Sequence, residues 1–168
     1  MRSVAAGLMA LIASGAWGDT AVDTEDLTEP LVGVEYFGGW WEPTPNKWNY
    51  SADGDWRPKY PGRVPLLGAY NTQETMDKEI VAAAENGVDF FLILWYYHRP
   101  GEDKEPHSQR LNRALDQFQQ SPEAHRMHFM VEFCNHPPFE VETEADWEAC
   151  IAVFVRAMRH PSYLRVNG

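Results

Sequence analysis

The chain is poor in cysteine: Cys134 and Cys150 are the only two among 168 residues. A disulfide-dense scaffold is therefore excluded, and neither a Cys-x-x-Cys pair nor a Cys/His cluster marks structural zinc. A secreted chain could join the two cysteines. One falls at the end of an expected strand and the other in mid-helix facing the core, so two separate thiols are the favoured alternative. His125 and His128 have a His-x-x-His spacing. A helix–strand boundary lies between them and no third ligand is near in sequence, so no metal is expected, and no cofactor either. Positive charge is scarce: 14 Lys and Arg stand against 25 Asp and Glu, a net charge of −11. Nucleic-acid binding needs clustered Lys and Arg, so that class of partner is excluded. The Gly-x-Ser-x-Gly elbow, the Walker loop and Gly-x-Gly-x-x-Gly are all missing, which leaves nucleophilic serine catalysis and nucleotide binding unsupported.

Long apolar runs are also few. At the N-terminus Arg2 is followed by an apolar stretch from Val4 to Ala13, too short to span a bilayer, and Ala16-Trp17-Gly18 ends in a small-x-small pattern. Residues 1–18 read as a secretory signal cleaved after Gly18, with a short membrane anchor as the alternative. The expected location is secreted or periplasmic, with no membrane span after cleavage. Residues 19–30, acidic and rich in threonine, read as a flexible lead-in. The remaining 31–168 suffices for one domain.

The second apolar run is Val88 to Tyr97, preceded by Gly87 and followed by His98-Arg99-Pro100-Gly101. It reads as a strand buried on both faces. Strands are also expected at Leu31–Phe37 and His128–Cys134. Between and after them lie three helical patterns. The first is capped by Asn71 with Glu74. The second runs from about Ser108 to Gln120 with Leu111, Leu115 and Phe118 as its buried stripe. The third opens at Thr143 with Asp146, with Trp147, Ile151, Phe154, Val155 and Met158 as its apolar face. Residues 42–70 form a long loop of prolines and aromatics, whose aromatic load argues for order. Asn49-Tyr50-Ser51 matches a glycosylation sequon.

The rhythm β–loop–α–β–α–β–α, with a new start at Tyr163, predicts an α/β fold with a parallel sheet. Three βα units plus the start of a fourth are about half of a TIM-type (β/α) barrel. The expectation is the N-terminal half of such a barrel; the alternative is a small complete α/β sandwich.

In barrels and open parallel sheets, ligands gather at the C-terminal ends of the strands. Parity within His128–Cys134 places Phe129, Val131 and Phe133 under helices and Glu132 on the interior face. An unpaired buried carboxylate is costly, so Glu132 needs a partner or a ligand. In the long apolar run, Val88, Phe90, Leu92 and Leu94 are expected under helices, with Asp89, Phe91, Ile93 and Trp95 inward. Glu35 is expected inward, which would turn Tyr36 outward unless the strand twists. Inward carboxylates, Trp95, Trp40 and Trp41 suit a sugar, whose C–H faces stack on aromatic rings and whose hydroxyls donate to carboxylates. Asn135 and His136 follow the third strand, where site residues sit; His98 reads as a loop residue within reach of a ligand.

Four stretches carry a resemblance: Val34-Glu35-Tyr36-Phe37-Gly38-Gly39-Trp40-Trp41, Val64-Pro65-Leu66-Leu67-Gly68-Ala69-Tyr70, Ala83 to Phe91 running on to Trp95-Tyr96-Tyr97, and Phe129-Met130-Val131-Glu132-Phe133. In this order they resemble the glycoside hydrolase family 99 and WbsX-type proteins, over roughly residues 31–168. The resemblance implies a (β/α)8 barrel that acts on α-mannoside-containing glycans as an endo-acting retaining hydrolase, or a relative tied to polysaccharide assembly. It implies that Tyr36, Trp95 and Glu132 line the substrate site, with Glu132 at the sugar 2-hydroxyl. The family's acid/base pair lies in a Glu-Trp-x-Glu-like motif that does not occur in these 168 residues. A carbohydrate-binding barrel without catalysis is the other expectation. Together the expected substrate contacts are Glu35, Tyr36, Trp40, Trp41, Trp95, Glu132 and Asn135, the partner being an oligo- or polysaccharide.

Overall fold

A computed structural model describes residues 30–42, 46–49, 54–67, 70–99, 101 and 108–165. The signal reading and all but the last residue of the lead-in lie outside the described residues. Strands β1 (Gly33–Tyr36), β2 (Phe90–Trp95) and β3 (His128–Phe133) form one sheet in the order β1-β2-β3, parallel throughout. Helices α1 (Gln73–Glu85), α2 (Arg113–Gln120) and α3 (Glu144–Met158) alternate with them. After α3 the chain returns beside β3: Tyr163 forms a parallel bridge with Phe129, and Leu164 N–H donates to the Phe129 carbonyl at 2.9 Å. The result is an α/β unit with a small parallel sheet. No helix among the described residues is long and apolar enough to cross a membrane.

Each helix starts and stops for local reasons. The cap of α1 is Thr72, whose hydroxyl accepts the Thr75 N–H, rather than the expected Asn71. Asn71 instead adopts positive φ (60°) and spends its side-chain amide on the Gly38 and Arg110 carbonyls, tying the end of β1 to the segment before α2. Asparagine tolerates this conformation better than most residues. Gly87, just past the cap residue Asn86, has φ +81, as a C′ glycine does. The second helical stretch opens as a 3-10 turn over Ser108–Asn112 before α2. Thr143 and Asp146 form the expected capping box of α3.

The core lies between the sheet and the helices. Met76 and Ile80 of α1, Ala114, Leu115 and Phe118 of α2, and Cys150 and Ala157 of α3 pack with Phe91, Ile93, Trp95 and Phe129. This overturns the expected parity of β2. Phe91, Ile93 and Trp95 face the helices, and Leu92 and Leu94 take the other face. The cause is register: Phe91, Ile93 and Trp95 stand beside Phe129, Val131 and Phe133. Neighbours in register share a face, and β3 turns these three residues to the helices. An apolar run carries no parity signal of its own. Asp89 misled the expectation because it precedes β2, where its carboxylate accepts the Val32 N–H.

The expected apolar face of α3 is also corrected. Cys150 and Ala157 are the buried positions, with Val153 and Phe154 packed beside them. Trp147, Ile151, Val155 and Met158 lie on the exposed side. Cys134 and Cys150 are both free thiols.

Phe129 is fully buried and meets Phe118 at 4.8 Å and Tyr163 at 5.2 Å between ring centroids. Phe129→Ala should lower unfolding free energy by about 3–5 kcal/mol, measured by urea denaturation. A loss below about 1 kcal/mol would show that the site is not close-packed.

Candidate functional site

The sheet face turned away from the helices carries Glu35 on β1, Leu92 and Leu94 on β2, and Met130 and Glu132 on β3. Glu35 stands beside Leu92, Leu92 beside Met130, and Leu94 beside Glu132. Tyr96 and Cys134 continue the same face one step beyond the strands. The Cys134 N–H donates to the Trp95 carbonyl at 2.9 Å, which prolongs the ladder. Against this end packs a second apolar cluster of Trp41, Leu94, Tyr96, Leu111 and Phe139.

Asn112 ends β2. Its side-chain oxygen accepts the Tyr96 N–H at 2.9 Å and its amide donates to the Tyr96 carbonyl at 2.7 Å, so one side chain satisfies both backbone groups. The Tyr96 ring sits edge-on to Phe139 and His136. On the same face the Cys134 thiol donates to the Glu132 carbonyl at 3.9 Å. Burial first, then the neighbouring Cys134, then the charges of Glu35 and Glu132 push the Tyr96 phenol up. Burial likewise raises Cys134, and Glu132 and Glu35 add to the rise. Cys134 thus stays a thiol, which is the wrong state for a nucleophile. Glu35 and Glu132 each stand one residue before the C-terminal end of their strand, on this same face.

The loop after β2 is fastened from the helix side. The Tyr97 hydroxyl donates to Asp146 Oδ1 at 2.6 Å, and Arg99 donates to both Asp146 oxygens, at 3.2 and 2.6 Å. Glu142 receives a further bond from Arg99. The Arg99 guanidinium and then the Tyr97 hydroxyl hold the Asp146 carboxyl well below the usual carboxylate range. Burial, and then the bond to Asp146, push the Tyr97 phenol up to about 12.

The sequence-predicted residues divide between the two faces. Glu35 and Glu132 share the open face, with Trp41 against its end. Tyr36 turns to the helix side, where its ring meets Phe91 and its hydroxyl donates to Glu79 of α1. Burial raises both Tyr36 and Glu79. Trp95 is 7% exposed and packed among Tyr97, Phe133 and Phe154. It is a core residue of the helix side, not an inward wall. Trp41 is 4% exposed and supports the face from within its apolar cluster. Trp40 is half-buried, 4.6 Å from Trp48. Asn135 is exposed and its side-chain oxygen accepts the Val141 N–H. His98 lies edge-on to Phe139.

Sequence reasoning missed Tyr96, Asn112, Phe139 and the Arg99–Asp146 pair. Tyr96 was within reach, since correcting the parity of β2 by one residue puts it on the face of Glu132. The others depend on contacts distant in sequence. Among the described residues no group of three or more His, Cys, Asp or Glu side chains is arranged to hold a metal ion. No protein-family model matches the chain, and no curated protein does.

Two measurements test this geometry. Glu132→Gln and Glu35→Gln should each lower the titration of the Tyr96 phenol, followed as the component of the ultraviolet pH titration that Tyr96→Phe removes. It should stay above about 10, because burial is the main cause of the shift. An unchanged titration would separate the carboxylates from Tyr96. For Asp146, whose folded pKa is depressed, the linked stability is present above the unfolded pKa and is lost as pH falls through the carboxylate range. Asp146→Asn should be less stable than wild type at pH 7. The gap should narrow steadily below about pH 4 in denaturant melts; a constant gap would contradict the clamp.

Proposed function

We propose that this α/β unit is part of a (β/α) barrel of the family 99-like, glycan-active kind. Its helix-free sheet face would then form one wall of a sugar site. One observation carries the reading: Glu35 and Glu132 share the helix-free face near the C-terminal ends of parallel strands. In a barrel the face turned from the helices becomes the interior, and that end is where ligands sit. Carboxylates there accept hydrogen bonds from vicinal sugar hydroxyls. The half-exposed Trp40 offers a surface for pyranose C–H groups. Tyr36 and Trp95, which the resemblance put at the sugar, act instead in the packing that shapes the wall.

The chemistry proposed for the whole barrel is hydrolysis of a glycosidic bond, which ordinarily needs two carboxyl groups roughly 5–10 Å apart. Glu35 and Glu132 are assigned binding, not the acid and base roles. Their contribution is to hold the sugar by its hydroxyls on the rigid end of the sheet. The same arrangement would serve glycan binding without turnover, so the first test is of affinity.

Titration calorimetry with α-mannooligosaccharides should show Glu132→Gln weakening affinity at least about tenfold, consistent with the loss of a charge-assisted hydrogen bond. Trp95→Phe should leave affinity within about twofold while lowering stability. Wild-type affinity in Glu132→Gln would remove Glu132 from the site. A large affinity loss in a well-folded Trp95→Phe would restore the indole as a sugar contact.

A further inference from the structure

Beyond the acid-lined face, the segment between β1 and α1 assembles a row of indoles. Trp40 lies 4.6 Å from Trp48, and Trp48 lies 5.6 Å from Trp56, centroid to centroid; Tyr70 is 6.0 Å from Trp48. Only the middle ring is closed off: Trp48 is 4% exposed, whereas Trp40, Trp56 and Tyr70 are each half-buried.

The row is held in place by polar bonds. Trp48 Nε1 donates to the Trp40 carbonyl at 3.2 Å, and the Trp56 N–H donates to the Trp48 carbonyl at 3.4 Å. Arg57 lies over the Trp48 ring, with its guanidinium carbon 4.9 Å from the centroid. The same guanidinium pairs with Glu42 and Asp55. Asn46, itself buried, donates to Glu42 and accepts the Asn49 N–H. Here the two end indoles of the row keep part of their surface in water, and the Arg57 cation stacked on Trp48 is met by two carboxylates.

The row is also continuous with the proposed site. It starts at Trp40, whose chain neighbour Trp41 is packed against Tyr96 and Phe139 in the apolar cluster of the open face.

We propose that Trp40 and Trp56 form a distal platform for a neutral oligosaccharide. The ligand is then longer than the sugar held at Glu35 and Glu132, and its further units lie along the indoles. Stacking of C–H faces on indole needs no charge, which agrees with the neutralised Arg57. This inference rests on the sugar reading of the open face and gives that site a direction and a minimum length.

The test compares α-linked mannobiose with α-linked mannohexaose on the full chain, by calorimetry and tryptophan fluorescence. Mannohexaose should bind more tightly than mannobiose and shift the tryptophan emission. Trp56→Ala should weaken mannohexaose about five- to tenfold, to the level of mannobiose, and leave mannobiose unchanged. Trp56→Phe, which retains a ring, should recover part of the loss, and circular dichroism and urea midpoints establish that each variant is folded. Equal affinity for the two sugars overturns the platform alone. So does an undiminished mannohexaose affinity in folded Trp56→Ala. If wild type binds neither sugar, the platform and the sugar reading of the open face fall together.

Discussion

The register of β2 against β3 is the constraint on which the rest of this structure depends. Phe91 beside Phe129 and Trp95 beside Phe133 place the large rings of both strands on one face. Burying each such side chain is worth about 1.5–3 kcal/mol. Slipping one strand by a single residue would exchange all of these rings for the side chains of the other face. The helices then have only one face on which to settle. Phe118 of α2 reaches both Phe91 and Phe129, so α2 lies across the joint between the strands.

The opposite face inherits its character from that choice. Once the rings are committed to the helices, Glu35, Glu132, Tyr96 and Cys134 are left together on the other side. Two polar devices keep them there. Asn112 closes the backbone of Tyr96. Asp146, drawing on Tyr97 and Arg99, holds the following residues to the start of α3. The adjacent tyrosines thus divide the work: Tyr97 anchors to the helix side, and Tyr96 faces the acids. Burial first, then the neighbouring Cys134, raise the cost of ionising the Tyr96 phenol, and Glu35 and Glu132 add to it, so Tyr96 remains a neutral hydroxyl across the physiological range.

The α/β alternation was legible in the sequence because each helix has a cap or stripe and each strand a bounded apolar run. Parity within β3 was legible too, because Glu132 interrupts it. Parity within β2 was not, because Phe90 to Trp95 is apolar on both faces and the deciding information sits in β3. The α1 cap was misplaced by one residue for a related reason. Asn71 and Thr72 both have capping chemistry, and only the demand of the Gly38 and Arg110 carbonyls for a donor decides between them. The candidate site was read in part. Its acids were identified from their unlikeness to their surroundings, whereas Trp95 at a strand end and Trp41 on the adjoining loop, both expected to stack on a sugar, are buried among apolar neighbours.

The same pattern reasoning explains why α3 looks odd. Its sequence is apolar on more than one side. The side that meets β2 and β3 uses small or compact residues, Cys150 and Ala157. Trp147 is 41% and Ile151 53% exposed, with Val155 and Met158 along the same side. At the other edge of the sheet, Val32 and Val34 are likewise exposed. In register Val34 stands beside Phe91 and so belongs to the helix-facing side, where no described helix covers it. Both flanks of the helix layer therefore present apolar side chains where a neighbouring element would bury them. A sheet complete in itself tends to blunt its edges with charge or to cover them. Valines at one edge and an indole-led stripe at the other do neither, so both flanks of the helix layer are apolar surfaces open to a further packing element.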